Sequence, residues 1–455
     1  MNAELLELPV QITEVFELLD TAGVPAWLVG GCLRDLLLGR IPHDWDFATP
    51  SAPEDVKERL SARGVTMWDT GIRHGTITFR YKKRSYEITT FRIDGPYADF
   101  RRPKWVKYTD SLKEDLARRD FTINAMAYHW REGLSDPFDG ARDMKNRVIR
   151  AVGVPEDRLG EDALRVMRGI RFAGGLDFEL EDSLSEAMEK RADLLLKISV
   201  ERIASELNAI LTLPGPGKAL RLMARLGVWR HIAPELAKTQ GFDQLSSHHN
   251  SCVYEHTVRT AENLPPVLPL RLAALLHDIA KPVVFSVDAK GKGHFYHHET
   301  VGAEMAGAFM NRLRYSHDLR DQVVTLIRHH MQHIKDLSDE DLRRIVSGLP
   351  KPRDKNMEMI LSLQKADLLA SIYDQDSLVD FELFAARFKA VLSSGCPLDV
   401  SDLALSGGEL EGLGLRPRDR GIAQRAMMDE VLRCPANNTR EYLLWIAHFF
   451  ANHAL

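Results

Sequence analysis

The chain has 455 residues with a formal net charge of −5, and 44% of its residues are hydrophobic and 27% charged. This length exceeds what one hydrophobic core supports, so we expect about three or four compact units. The sequence has no run of about 18 apolar residues and no basic segment before an apolar one, which predicts neither a membrane span nor a signal peptide. The four cysteines are widely spaced, without a Cys-x-x-Cys pair, and indicate reduced thiols in a cytoplasmic protein.

The segment 28–50, LVGGCLRDLLLGRIPHDWDFATP, predicts an apolar strand, a glycine turn, a short helix and a second strand. The second strand is expected to carry Asp44 and Asp46 on one side, because side chains alternate along a strand. Two adjacent carboxylates raise each other's pKa unless a cation lies between them. Such oxygen ligands suit Mg²⁺, which takes its remaining ligands from water and substrate phosphates. A solvated acidic loop is the alternative interpretation.

The glycine turn is typical of a site that approaches a triphosphate. Gly30 and Gly31 let the backbone come close to phosphate oxygens, and amides at a helix start point at an anion. The order Gly-Gly-x-x-Arg34-Asp35 followed by Asp-x-Asp resembles the signature of the polymerase β-type nucleotidyltransferases. Its form is similar to that of the class II tRNA nucleotidyltransferases (CCA-adding enzymes) and bacterial poly(A) polymerases.

Residues 74–92 alternate over two strands around a polar turn, which predicts a hairpin. The resemblance implies that Glu87, on the returning strand, completes a carboxylate cluster for two-metal phosphoryl transfer. A charge on the polar face of a hairpin is the alternative. LARRDFTINA matches a further motif, in which Arg119 would contact the ribose and phosphates of the nucleotide while Asp120 braces the site.

The segment 92–116 resembles the flexible loop of the family, including Asp94 and the sequence Arg101-Arg102-Pro103. Members that add only the two cytidines have a shortened loop here. This loop is of full length, so we expect adenosine addition, whereas the sequence leaves open whether the cytidines are also added.

Residues 136–140, DPFDG, resemble the hinge between the catalytic head and a helical neck, and EDALRVMR follows. On a helix, Asp162 and Arg165 would be three residues apart on one face, with Arg168 and Arg171 nearby on the same side. A carboxylate beside a guanidinium offers acceptors and donors that match the Watson–Crick edges of cytosine and adenine. The resemblance implies that this pair is a protein template for the incoming base; an ordinary salt bridge is the alternative. SVERIASEL, which follows in the neck, resembles the next motif and is interpreted as structural.

Histidines and aspartates follow each other on predicted helices between residues 250 and 370 in the order found in HD phosphohydrolases. Mixed imidazole and carboxylate ligands suit a transition-metal ion that activates water. An isolated histidine is usually structural, and HD folds can lose turnover while they keep their ligands. The resemblance implies the metal ligands His256, His277, Asp278 and Asp367, with His298 and His330 as further candidates.

The resemblance extends over nearly the whole chain and implies an α+β multidomain fold. A nucleotidyltransferase head with a mixed sheet and helices is expected to precede all-α neck, HD and tail domains. DLALSGGELEGLGL resembles a tail that grips the tRNA elbow, although Arg416-Pro417-Arg418 replaces the usual Pro-Gly. The expected boundaries are 1–145 for the head, 146–240 for the neck, 241–390 for the HD domain and 391–455 for the tail.

The expected function is the addition of CCA, or its terminal A, to tRNA 3′ ends from CTP and ATP. Mg²⁺ is expected at the transferase site and a divalent transition metal at the HD site. A poly(A) polymerase, or an HD phosphohydrolase with a tRNA-binding head, are the alternatives. The net negative charge weakly disfavours a nucleic-acid binder, but only the local field along the binding face matters. The catalytic residues would be Asp44, Asp46 and Glu87, and the nucleotide-binding residues would be Gly30, Gly31, Arg34, Arg119, Asp162, Arg165, Arg168 and Arg171.

Overall fold

The chain divides into two compact units, Met1–Ala237 and Lys238–Leu455. The first begins with a mixed sheet and continues as helices, whereas the second is mostly helical. The predicted α+β fold, with a mixed-sheet head followed by helical domains, is therefore confirmed. The computed structural model describes residues 6–71, 75–97, 103–243, 245, 252–331, 337–371 and 375–452.

The strands of the first unit are β1 (Trp27–Val29), β2 (Asp46–Thr49), β3 (Thr66–Gly71), β4 (Thr76–Tyr81), β5 (Arg84–Thr90), β6 (Arg92–Asp94), β7 (Val106–Tyr108), β8 (Ala127–His129), β9 (Gly133–Ser135), β10 (Val148–Ile149) and β11 (Glu179–Leu180). Seven of them form one sheet in the order β3-β4-β5-β2-β1-β8-β9. In this sheet β2 and β5 run parallel, and the other neighbours run antiparallel. The parallel pairing of β2 with β5 places Asp46 directly beside Glu87.

The helices of the first unit are α1 (Val10–Thr21), α2 (Gly31–Leu37), α3 (Pro53–Ser61), α4 (Leu112–Ala117), α5 (Gly140–Asn146), α6 (Pro155–Glu161), α7 (Arg165–Leu176), α8 (Asp182–Arg191), α9 (Val200–Leu211), α10 (Gly217–Arg225), α11 (Val228–Ile232) and α12 (Pro234–Ala237). The apolar residues of α1 recur every three or four positions and are buried. Phe16 of α1 packs edge-on against Phe47 of β2, with ring centroids 5.2 Å apart. Burial of each such side chain contributes about 1.5–3 kcal/mol, which anchors β2 and the residues that precede it.

The predicted hairpin is present as β4 and β5, in the part that lies within the described residues. Tyr81 pairs with Arg84 across its end. Lys82 and Lys83 between them have φ angles of 46° and 68°, as a two-residue hairpin turn with the strand-matching twist requires. His74, at the start of the predicted segment, lies outside the described residues.

Helix α7 is held close to its neighbours by small residues. A Cβ atom at Gly169 would overlap the side chain of Met188 in α8, and one at Gly174 would lie 2.7 Å from the Cβ of Ala219 in α10. Such close approach fixes α7 in position. This matters for the site because α7 carries three of the predicted nucleotide-binding arginines.

The second unit contains α13 (Val253–Glu262), α14 (Leu268–Leu276), α15 (Lys281–Val284), β12 (Ser286–Val287), β13 (Gly293–His294), α16 (His298–Arg312), α17 (His317–Arg328), α18 (Asp339–Gly348), α19 (Arg353–Ala370), α20 (Gln375–Ser393), α21 (Gly407–Gly412), α22 (Pro417–Arg433) and α23 (Arg440–Asn452). Helices α13, α14, α17 and α19 pack on one another. The predicted HD residues lie in or directly after these helices and at the start of α16: His256 in α13, His277 and Asp278 after α14, His298 at the start of α16, His330 after α17 and Asp367 in α19. No helix within the described residues combines the length and apolarity that crossing a membrane requires.

The last helices have a separate apolar core that includes Leu403, Leu410, Met427 and Leu443. Helix α21 begins with a capping box between Ser406 and Glu409, which explains the turn-like sequence LSGGEL. Pro417 is the first residue of α22, a position where its missing N–H costs nothing. The Arg-Pro-Arg sequence therefore starts a helix.

Candidate functional site

Two carboxylates of the first unit lie side by side on parallel strands. Asp46 begins β2 and is in register with Glu87 of β5. Asp44 lies in the bend just before β2. The prediction that Asp44 and Asp46 both lie on the strand is wrong for Asp44, because the pairing with β5 begins at Asp46. The three predicted catalytic carboxylates are nevertheless close enough to influence one another.

The pKa of Asp46 reports this mutual influence. Burial raises the pKa of the Asp46 carboxyl, and the negative charges of Glu87 and Asp44 raise it further, while Arg119 opposes the rise. Asp44 and Glu87 are themselves exposed. A group of like charges with one half-buried member is stabilised by a cation that its oxygens can share. These carboxylates therefore fit a hard divalent ion such as Mg²⁺.

Gly30 makes room for Arg119 beside this group. Its φ of 73° is one that L side chains rarely adopt, and a Cβ there would lie 3.1 Å from Nη1 of Arg119. Gly31, which follows, is the first residue of α2. Arg119 donates from Nη2 to the buried Asp115 at 3.2 Å. Its buried Nε has no hydrogen-bond partner among the described residues, so this guanidinium has a donor available for an anion.

The buried Asp120 forms an ion pair with the half-buried Arg168, which connects the segment after α4 to α7. Arg168 donates to one oxygen of Asp120 from Nε at 2.9 Å and from Nη2 at 2.7 Å. Burial alone would raise the pKa of Asp120, but Arg168 and the amide of Asn124 outweigh it and lower the pKa below its ordinary value. Asp120 is thus an ionised brace for Arg168.

Three predicted nucleotide-binding arginines surround the ring of Phe172. The guanidinium carbons of Arg34, Arg168 and Arg171 lie 5.0, 5.4 and 4.5 Å from its centroid. Arg171 also donates to Glu206 of α9 at 2.7 Å. Each guanidinium is also ion-paired, Arg34 with Asp35, Arg168 with Asp120 and Arg171 with Glu206. The group therefore offers several directed donors in one place, which suits the oxygens of a triphosphate.

The predicted base-reading pair has a different arrangement from the expected one. The prediction that Asp162 and Arg165 share a face of one helix is wrong, since α6 ends at Glu161 and α7 begins at Arg165. Asp162 between them has extended backbone. Its carboxylate accepts a hydrogen bond from the amide of Leu164 at 3.1 Å. Such a local bond competes with the helical pattern and accounts for the break.

Each member of the pair is held by another partner. Arg202 of α9 donates to both oxygens of Asp162, at 3.2 and 2.7 Å. Arg165 donates to Glu161 at 2.5 Å and to the carbonyls of Arg158 and Arg118 at 2.7 and 3.2 Å. The alternative of an ordinary salt bridge between Asp162 and Arg165 therefore does not describe them either. Each side chain is therefore fixed by its own partners.

The predicted loop is described only in part, because Arg101 and Arg102 lie outside the described residues. Asp94 accepts a hydrogen bond from the hydroxyl of Tyr97 at 2.9 Å and lies 3.8 Å from Arg118. Burial, together with Asp94, raises the pKa of Tyr97 to about 12. The start of the loop is therefore tied to the helix segment that carries Arg118 and Arg119.

The second unit brings all six predicted HD residues together. Nε2 of His256 lies 2.7 Å from Asp367 Oδ1, and Nε2 of His277 lies 3.2 Å from Asp278 Oδ2. Nε2 of His298 lies 3.5 Å from Asp278 Oδ1. His330 stacks edge-on against both His277 and His298.

The two carboxylates of this group stay ionised although they are buried. Burial alone would lower the pKa of His277, but Asp278 and Asp367 raise it to about 10. Asp278 and Asp367 have pKa values well below the ordinary one, since the nearby imidazoles outweigh their burial. The carboxylates are thus ionised beneath a shell of imidazoles, which is a donor set that fits a divalent transition metal.

Sequence profiles of three domains match the chain. The poly A polymerase head domain matches residues 26–150, a probable RNA and SrmB binding site of polymerase A matches 177–239, and the HD domain matches 253–367. Residues 26–150 are therefore a poly A polymerase head domain, and residues 253–367 are an HD domain.

Curated members of the family are similar over part of their length. A CCA-adding enzyme of Streptococcus suis is 44% identical over 262 residues, which are 57% of this chain and 63% of that enzyme. One from Lactobacillus delbrueckii is 52% identical over 205 residues, 45% of this chain and 51% of that enzyme. The alignments thus span between half and two thirds of these relatives.

Solved structures of the family are similar over nearly the whole chain. The Bacillus stearothermophilus CCA-adding enzyme in complex with CTP is 26% identical, with a TM-score of 0.72 over 97% of this chain and 98% of that one. The Thermotoga maritima CCA-adding enzyme complexed with tRNA is 20% identical, with a TM-score of 0.60 over 97% of this chain and 96% of that one. The second likeness shows the fold alone.

Several residues around the sites were not predicted from the sequence. Asp115 lies three and four residues before Arg118 and Arg119, a helical spacing that could have indicated it. Arg202 and Glu206 lie in the neck motif that the sequence indicated only as structural. Phe172 carries no sequence signal, since an aromatic residue on the apolar stripe of a helix is ordinarily part of the core.

Proposed function

We propose that this protein adds CCA, or its terminal A, to the 3′ end of tRNA from CTP and ATP. The observation that carries the proposal is the in-register pair Asp46 and Glu87, with Asp44 alongside and Arg119 over Gly30. A carboxylate group beside an anion-binding guanidinium is what nucleotidyl transfer requires. The similar proteins that bear the name CCA-adding enzyme favour this reading over poly(A) synthesis.

In this proposal Asp44, Asp46 and Glu87 hold Mg²⁺. When bound, the ion would polarise the attacking 3′ hydroxyl and neutralise the triphosphate. Gly30 and Gly31 let the backbone approach the phosphates. The arginines contribute positive charge and directed donors, with Arg119 beside the carboxylates and Arg34, Arg168 and Arg171 grouped around Phe172.

Asp162 and Arg165 are proposed to select the base. Each carboxylate oxygen of Asp162 has lone pairs beyond those that Arg202 occupies, so it can accept from the amino group of cytosine or adenine. Arg165 supplies donors to the ring acceptors. GTP and UTP present the opposite donor and acceptor order at these positions, which leaves buried polar groups unpaired.

We further propose four domains, with the boundaries 1–145, 146–240, 241–390 and 391–455. The last of them is proposed to bind the tRNA elbow, and the protein is proposed to be cytoplasmic. All four cysteines are free thiols, in keeping with a reducing compartment. For 241–390 we propose a divalent transition metal on His256, His277, Asp278 and Asp367. Phosphohydrolase activity on phosphate monoesters or 2′,3′-cyclic ends would follow from the water that such an ion activates.

The test uses purified protein and tRNAs that end before, within and after the two cytidines, each with a single NTP. We expect ATP to extend only the tRNA that ends in CC, and GTP and UTP to extend none. Extension of the first two tRNAs by CTP would show addition of the whole CCA, and its absence would show addition of the terminal A alone. Repeated ATP addition to any RNA 3′ end would favour the poly(A) polymerase alternative. Phosphate release without extension would favour a hydrolase with a tRNA-binding head.

A further inference from the structure

Helix α4 places one buried carboxylate among three arginines of the first unit. Asp115, which is 1% exposed, accepts hydrogen bonds at Oδ1 from Nε and Nη2 of Arg118 at 3.0 and 2.8 Å. The same oxygen accepts from the backbone amide of Arg92 at 3.3 Å. Oδ2 accepts from Nη2 of Arg119 at 3.2 Å. Asp115 thus connects the start of β6 to the segment that carries Arg119.

Asp115 is ionised in this position. Burial alone would raise the pKa of its carboxyl, but the guanidinium groups of Arg118 and Arg119 outweigh burial and lower the pKa below its ordinary value. Hydrogen bonds between a guanidinium and a carboxylate are strong, and the planar donor group gives them a defined direction. Asp115 is therefore a fixed negative charge that can orient the arginines around it.

The guanidinium groups of Arg118 and Arg119 are held unequally. Arg118 donates twice to Asp115 and also lies 3.8 Å from Asp94. Arg119 donates once, from Nη2, and its buried Nε has no hydrogen-bond partner among the described residues. Nη1 of Arg119 faces the glycine turn, 3.1 Å from the position that a Cβ of Gly30 would take. Asp115 therefore fixes the direction of Arg119 and leaves its Nε donor for another anion.

Arg119 has a second acidic neighbour in Asp46. Burial and Glu87 raise the pKa of Asp46, and Arg119 lowers it, so the two charges lie close enough to attract each other. An arginine side chain has several rotatable bonds, and without Asp115 it could turn toward Asp46. A guanidinium paired there would compete with Mg²⁺ for the carboxylate oxygens and would offer less to the phosphates. The contact with Asp115 opposes this turn.

We propose that Asp115 is a positioning residue for nucleotide binding, which holds Arg119 over the glycine turn and away from the catalytic carboxylates. Asp115 touches neither the nucleotide nor a metal ion in this role and acts through Arg119. The inference rests on the proposed function, in which Arg119 contacts the nucleotide. The four-residue spacing of Asp115 and Arg119 is also that of an ordinary helical salt bridge. The burial of Asp115 and the Nε donor that Arg119 keeps distinguish this pair from one on the surface.

The test measures the dissociation constant for CTP by calorimetry, on the full chain with Mg²⁺ and without tRNA. Asp115→Asn keeps the shape of the side chain and removes its charge. We expect CTP to bind about tenfold more weakly, the loss expected for one charge-assisted hydrogen bond. Arg119→Ala should bind CTP at least as weakly. The variant with both changes should equal Arg119→Ala alone, because the effects of residues that act through one contact do not add.

Asp143→Asn is the matched control, since Asp143 is also 1% exposed and also pairs with an arginine, Arg150, at 3.1 Å. It should lower Tm without changing the affinity for CTP. Circular dichroism establishes folding for each variant. Unchanged affinity in folded Asp115→Asn would overturn the inference, and so would an equal loss from Asp115→Asn in the presence and absence of the Arg119 side chain.

Arg119→Lys tests the same point in a protein whose buried carboxylate is intact. Lysine keeps the charge but lacks the planar fork, so it does not hold Asp115 and present a second donor in the same geometry. CTP should bind nearly as weakly as to Arg119→Ala, and affinity equal to that of the parent protein would overturn the inference. A parent protein that binds CTP but extends no tRNA would remove the proposed function, while the binding measurements would still decide the role of Asp115. Absence of CTP binding by the parent protein would remove both.

Discussion

Arg202 of α9 donates hydrogen bonds to both carboxylate oxygens of Asp162, at 3.2 and 2.7 Å. Asp162 lies in an extended break between two helices, where backbone pairing does not fix its side chain. The two hydrogen bonds from the Arg202 guanidinium therefore fix the orientation of the Asp162 carboxylate. In the proposed function this makes Arg202 a positioning residue for base selection, although it lies on another helix.

Arg202→Ala is expected to weaken discrimination between bases more than it lowers turnover. A hydrogen bond to a charged group contributes about 1.5–3 kcal/mol, so the preference for CTP and ATP over UTP should fall by about 10- to 100-fold. The ratio of kcat/KM values for each nucleotide measures this. Arg225→Ala, at an exposed arginine of α10, is the control and should leave the ratios unchanged. An unchanged ratio in Arg202→Ala would show that Asp162 is fixed by other means.

Gly30→Ala tests the approach of Arg119 to the glycine turn. The new Cβ would lie 3.1 Å from Arg119 Nη1, and the backbone at φ 73° and ψ −138° is a conformation that almost only glycine adopts. Gly39 also has a positive φ, 69°, but nothing lies within 4 Å of its Cβ position, so Gly39→Ala introduces backbone strain without displacing a side chain. We expect both variants to melt at a lower temperature, and only Gly30→Ala to raise KM for the nucleotide. Equal KM values in the two variants would contradict a role for this contact.

Asp46→Asn should strongly reduce nucleotide addition and change the pH dependence of stability. Burial and the neighbouring carboxylates raise the pKa of Asp46 in the folded protein, so the folded state holds this proton more tightly than the unfolded chain. Ionisation of Asp46 therefore costs stability as the pH rises above its unfolded pKa. Without Mg²⁺, the variant should have a higher Tm than the parent protein at pH 8 and a similar Tm at pH 4.

Loss of a metal ligand removes several kcal/mol of transition-state stabilisation, so addition by Asp46→Asn should fall by about 100-fold or more. Glu54→Gln, which changes an acidic residue in the first turn of α3, is the control and should keep normal addition. Near-normal incorporation by Asp46→Asn would remove the metal-site interpretation, and a lower Tm at pH 8 would remove the repulsion that motivates it.

If residues 391–455 bind the tRNA elbow, changes on their surface should weaken binding of whole tRNA. Arg418 and Arg425 of α22 are exposed and seven residues apart, so they lie on one face of the helix. RNA helices are recognised largely through backbone and shape. Arg418→Glu with Arg425→Glu should raise KM for whole tRNA at least about tenfold, with a much smaller effect on an acceptor-stem minihelix. Equal effects on both substrates would argue against elbow binding by this segment.

Much of the fold could be predicted because its signals are local. The alternation of residues 76–90 and the polar turn at Lys82 and Lys83 predicted the β4–β5 hairpin, since strand period and turn chemistry depend on neighbours in sequence. The sequence could not show that β2 pairs in parallel with β5, because that register depends on the tertiary fold. It is this register that places Asp46 beside Glu87.

The helix break at Asp162 was missed for a related reason. The segment 161–168 has the residues of a good helix, and periodicity alone extends α7 through Asp162. A side-chain bond to the Leu164 amide and the fork of Arg202 stabilise the break instead. The Leu164 amide is two residues from Asp162 in the sequence, whereas Arg202 is forty residues away. Only the bond to Leu164 has a local sequence signal.

Sequencing the 3′ ends of products from a tRNA transcript that lacks CCA, incubated with the protein, Mg²⁺ and all four NTPs, tests the central claim most directly. The expected result is that most molecules gain C, C and A in that order and then stop. Products that carry longer runs of A, or transcripts that remain unextended by a folded protein, would contradict it.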